Sequence, residues 1–148
     1  MFSLENLKAG DFIDVENYYF QMVKHTDTPD VETATKFYKI LVGGLPKREK
    51  DYLKILEEFQ KQLLEIKETY IWIYNPPQLP SSTEQHNPSP SDSLKQEFAE
   101  DYGGYIEIIY LLCSANLLNV NKVLKMKAKD FLFWGEYAVR KRLIESVK

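Results

Sequence analysis

Five of the seven prolines fall between Asn75 and Ser93, in NPPQLPSSTEQHNPSPSDS, among serines and few apolar residues. Neither helix nor sheet persists through such a run, because each proline removes a backbone donor and fixes φ. A chain of 148 residues interrupted there has to assemble its core from two parts. We read 1–75 as an N-terminal helical part, 76–92 as a Pro/Ser-rich flexible linker and 93–148 as a C-terminal helical part. Together they are long enough for one compact domain. The expected fold is all-α, with about five main helices in a bundle interrupted by the Pro/Ser-rich loop.

Apolar spacing places the helices. Phe12, Val15, Tyr19, Met22 and Val23 share a helical face, with Ile13 and Phe20 beside it and Asp11 as the expected cap. A strand over part of this segment stays open, since Ile13, Val15, Tyr18 and Tyr19 also suit a sheet. The second helix carries Val31, Ala34, Phe37, Tyr38 and Leu41, with Thr28 as the expected cap and Gly43-Gly44 closing it. The third is expected from Pro46 to about Trp72, on Tyr52, Ile55, Leu56, Phe59, Leu63, Ile66 and Tyr70, with a charged opposite face. A fourth follows from Leu94 to Cys113, loosened at Gly103-Gly104. A short element at Val123, Leu124 and Met126 then leads into the last helix.

Chemistry is sparse. The single cysteine, Cys113, sits in an apolar run and reads as a core residue, and neither His25 nor His86 is placed to activate it. Gly43-Gly44 lacks the further glycine and the Lys-Ser or Lys-Thr pair of a phosphate loop. Asp11, Asp14 and Glu16 set against Asp101 or Glu107 is the best carboxylate grouping, without ligand spacing for a metal. No catalytic residue, metal site or cofactor is expected, and the chain is not read as an enzyme. A net charge of −3 disfavours a general nucleic-acid binder. Arg140, Lys141 and Arg142 fall in the last turns of a helix, where the helix dipole itself favours cations. The first residues lack the basic and apolar regions of a secretory signal, and no apolar run reaches the roughly 20 residues of a membrane span. The cytoplasm is the expected location.

The segment VLKMKAKDFLFWGEYAVRKRLIESVK holds more large apolar side chains than one docking face needs. Ala128, Phe131, Leu132, Gly135, Ala138, Val139 and Leu143 make one helical face, while Phe133, Trp134 and Tyr137 point elsewhere. Phe131, Phe133, Trp134 and Tyr137 are the first candidates for a partner contact, and Ile71, Trp72 and Tyr74 the second. Burial of the two clusters against each other is the competing reading.

The order of segments adds a likeness. FYKILVGGLPKREKDYLKILEEF closes an acidic helical half; a polar linker follows, then DYGGYIEIIYLLC, VNKVLKM and DFLFWGEYAVRKRLIE. This layout resembles a small phage tail-region protein of the tail assembly chaperone type. The resemblance implies an acidic, all-helical, non-enzymatic protein of the infected bacterial cytoplasm. Such a protein binds the long tape measure protein, keeps it soluble and helps tail subunits polymerise around it. The proline-rich linker and the C-terminal aromatics are not required by that family. A permanent virion or connector component, a small enzyme and a nucleic-acid-binding regulator are the alternatives, and self-association stays open.

Overall fold

The computed structural model of the protein describes residues 2–24, 30–75, 105–113 and 119–146. After a 3-10 turn at Leu4–Asn6 come α1 (Ala9–Lys24), α2 (Val31–Val42), α3 (Glu49–Thr69) and α4 (Ile71–Tyr74). The chain continues with α5 (Ile106–Leu112), α6 (Val120–Lys125) and α7 (Ala128–Ser146). The fold is all-α, and among the described residues there is no strand, only one isolated antiparallel bridge between Lys8 and Lys127. The linker at 76–92, the expected cap Thr28, both histidines and the Leu94–Gly104 stretch lie outside the described residues.

The starts of α1 and α2 differ from expectation for the same reason: another group satisfies the first N–H donors. α1 begins at Ala9, so Asp11 lies inside its first turn and does not cap it. The Ala9 N–H donates to the Met126 carbonyl at 2.7 Å, and the Ala128 N–H donates to the Leu7 carbonyl at 2.7 Å. Each helix thus has one exposed donor of its first turn met by the chain entering the other. α2 is capped by Asp30, whose carboxylate accepts from the backbone N–H groups of Glu32 and Thr33. At its other end Gly43 adopts φ 87°, the left-handed conformation that closes a helix without a Cβ penalty.

The third helix starts at Glu49 instead of the expected Pro46, and it stops short of Trp72. It ends at Thr69, Tyr70 leaves the helical region at φ −105° and ψ 52°, and Ile71–Tyr74 form the separate turn α4. Five apolar residues in a row from Tyr70 to Tyr74 cannot share one face of a straight helix. The break re-aims them, so that Ile73 and Tyr74 pack against the core while Ile71 stays half exposed.

One core joins both sides of the proline-rich stretch: Phe12, Ile13, Phe37, Phe59 and Leu63 are buried in the same cluster as Tyr105, Ile109, Phe131 and Leu132. Its middle is a two-fold motif. Leu4, then Leu7-Lys8-Ala9, then Asp11-Phe12-Ile13 matches Val123, then Met126-Lys127-Ala128, then Asp130-Phe131-Leu132 at constant offset. The buried members also match: Leu4 with Val123, Ala9 with Ala128, Phe12 with Phe131, Ile13 with Leu132. Antiparallel pairing of Lys8 with Lys127 puts a local two-fold axis between them. The Tyr105 ring meets Phe12 at 5.8 Å and Phe131 at 6.1 Å between centroids, so it packs against both halves of the motif.

Candidate partner-binding surface

The buried face of α7 is Ala128, Phe131, Leu132 and Gly135, with Ala138, Val139 and Leu143 half-buried beyond it. This agrees with the spacing. Phe131, placed by its chemistry among the partner-contact candidates, is a correction: it is 0 % exposed and belongs to the core. Its neighbours on the opposite side of the helix are open. Phe133 is 58 %, Trp134 50 % and Tyr137 55 % exposed. Their rings touch one another edge to face, Trp134 lying 5.3 Å from Phe133 and 6.0 Å from Tyr137. Edge-to-face contact of this kind holds exposed rings in a set arrangement. Ile144, about two turns beyond Tyr137, is exposed as well.

The second cluster divides. α4 packs on α7, and Glu136 holds it there: one carboxylate oxygen accepts the Trp72 backbone N–H at 3.4 Å. The other pairs with Arg140 at 3.7 Å, whose guanidinium lies 5.1 Å from the centre of the Trp72 ring. Trp72 is therefore half-buried under Arg140, and Ile71 is exposed. Tyr74 is the other correction. It turns inward, its hydroxyl 2.6 Å from that of Tyr105, and contributes to a buried polar chain instead of the surface.

That chain is the feature sequence reasoning missed. Tyr105 donates its hydroxyl proton to the Glu16 carboxylate, and Tyr74 donates to Tyr105. Among the described residues Thr33 is buried as well, and Glu16 is the buried acid. Its place four residues after Phe12 and three after Ile13, on the core face of α1, was the available signal. Burial pushes its carboxyl above the ordinary range, against the Tyr105 hydrogen bond and the Lys67 charge, which pull it down. Burial likewise raises both phenols, which stay protonated donors.

A raised carboxyl pKa has a signed consequence for stability. Below about 4.5, the ordinary value, the group is neutral in both the folded and unfolded chain, and burial carries no charge penalty. As pH rises through the folded pKa, the folded state must ionise a buried acid, and this contribution to stability is lost. Glu16→Gln keeps an acceptor for Tyr105 without the titration. Urea unfolding of both proteins from pH 4 to pH 8 should show the wild type losing stability relative to the variant as pH rises. A constant difference would mean that folding does not shift the Glu16 carboxyl from its ordinary value. Asp14, also raised by burial and by the Asp11 charge, is common to both proteins and cancels.

The carboxylate grouping does not assemble. Glu16 faces Tyr105, Glu107 pairs with Arg142 on the outside, and Asp101 lies outside the described residues. Among the described residues no cluster of His, Cys, Asp and Glu could hold a metal ion. Cys113 is buried, and burial raises its thiol pKa away from the nucleophilic range. Among the described residues, no helix is long and apolar enough to cross a membrane.

No family model, curated protein or solved structure matches the chain. Its surface and its buried chain are therefore interpreted from their own chemistry.

Proposed function

We propose that this protein is a non-enzymatic assembly factor that binds a helical protein partner on the outer face of α7. The observation that supports this is the exposed, mutually packed set Phe133, Trp134 and Tyr137 on a helix whose opposite face is already buried. Aromatic side chains left in water as a contiguous patch mark protein contacts more often than chance exposure does. Held in a fixed arrangement, they bind without a large ordering cost. Ile71, and Trp72 under Arg140, extend the surface from α4.

The specific form of this reading is a chaperone of phage tail assembly, whose partner is a tape measure protein in the cytoplasm of an infected bacterium. What supports it is the layout resemblance of the helical half, linker and closing helices, together with the net negative charge that a solubilising protein benefits from. A permanent virion component would use the same surface but stay in the finished particle.

Co-expression with a tape measure protein from a tailed phage should yield a soluble complex of defined mass. In the Trp134→Ala, Tyr137→Ala double variant, affinity should fall by roughly 30-fold or more, the effect of losing about 2 kcal/mol at an interface hot spot. Circular dichroism should remain that of the wild type. A folded double variant that binds as tightly as the wild type would remove the α7 face from the reading. A tape measure protein that stays insoluble would remove the chaperone role.

A further inference from the structure

The outer face of α7 carries a row of residues four apart: Lys129, Phe133, Tyr137 and Lys141, all exposed. Residues at this spacing lie one above another and form a continuous ridge. It is apolar in the middle and cationic at both ends, with about 18 Å of helix rise between the lysines. The surroundings add to the charge. Between residues 119 and 146 there are seven cations against three acids, in a chain whose net charge is −3. Among the described residues the ion pairs of this segment engage Arg140 and Arg142, and none of its lysines.

Helix stability accounts for Lys141, which lies toward the negative end of α7. It does not account for Lys129, in the first turn of the same helix, nor for exposed Lys127 just before it. The positive end of a helix dipole disfavours cations there. Lys127 and Lys129 therefore leave positive charge at that end of the aromatic ridge, with Asp130 the one acid of the same turn, and an anionic group on a ligand would offset it.

We infer that the partner bound on α7 is an acidic amphipathic helix. This rests on the proposed partner-binding role of α7. The partner seats an apolar groove on the Phe133–Tyr137 ridge and sets carboxylates against Lys129 and Lys141. Packing of ridge into groove supplies the contact, and the two lysines fix which helices are accepted. A basic helix of the same apolar pattern leaves like charges opposed at both ends and is rejected.

The test uses two synthetic helical peptides with one leucine stripe, flanked by glutamates in one and lysines in the other. Both are titrated against the full chain and followed by tryptophan fluorescence. The glutamate peptide should bind at least tenfold tighter at low ionic strength, and the preference should shrink to a few-fold in 1 M salt. The Lys129→Glu, Lys141→Glu variant should reverse the preference. Equal affinity for the two peptides, or a preference unchanged by the charge reversal, would overturn the inference. So would binding of a thymidine oligonucleotide or of phosphatidylserine vesicles in place of either peptide. Such a failure, with tape measure capture still dependent on Trp134, leaves the proposed function standing. Loss of that dependence on Trp134 removes both.

Discussion

Phe131→Ala is expected to destabilise the fold by about 3–5 kcal/mol, the range for deleting a fully buried aromatic side chain. Trp134→Ala, three residues further along, should cost under about 1 kcal/mol, because it removes a half-exposed ring and opens no internal cavity. Both sit on the same helix and have similar chemistry, so the comparison isolates burial. Phe131 is 0 % exposed and its ring lies 6.1 Å from that of Tyr105, in the middle of the two-fold motif. Chemical unfolding monitored by circular dichroism measures both changes. Equal costs would mean that the two faces of α7 have been assigned to the wrong sides.

Gly135→Val should also destabilise the fold, by about 1–3 kcal/mol or more, although valine is the better helix former. A Cβ at position 135 would lie 2.5 Å from the Ile108 Cγ2, closer than carbon atoms approach in folded proteins. Ile108 is buried on α5, and its branched side chain has no free end to swing aside. Gly135 therefore sets the distance at which α5 and α7 pack. In Ile108→Ala the same substitution should cost much less, and a double-mutant cycle would read the coupling directly. Independent, additive effects would place the contact elsewhere.

The readability of this fold from sequence follows the strength of each periodic signal. α7 separates its faces cleanly because Phe131, Leu132 and Gly135 fall on one side and Phe133 and Tyr137 on the other, and burial follows that division. α3 is legible from Ile55 to Ile66 for the same reason. Its end is not, because the apolar run Tyr70–Tyr74 fits a helix continuing and a helix breaking equally well. Tertiary contact with Glu136 on α7 decides between them. Phe131 and Tyr74 read as surface candidates on side-chain type, where helical spacing and a distant partner decide otherwise. Glu16 reads from sequence as one of a group of ordinary acids, because acids are ordinarily solvated; a carboxylate on a core face becomes informative only when its donor, 89 positions away, is known. The paired LKAGDFI and MKAKDFL segments are visible in the sequence, but that they clasp each other is a fact of three dimensions.

The clasp also sets the order in which this chain can mature. Leu4, Ala9, Phe12 and Ile13 precede by more than a hundred residues the carbonyl of Met126 that accepts the Ala9 N–H. Until that late segment emerges, the first helix can pack on α2 but lacks the partner of its first turn, and closing so long a loop carries an entropic cost. Closure of the clasp, and not of the first helix on α2, is thus the step that waits for the late segment. A product interrupted before Met126 would leave the Ala9 N–H without its acceptor and that end of α1 open to proteases and to the quality-control machinery of the cell.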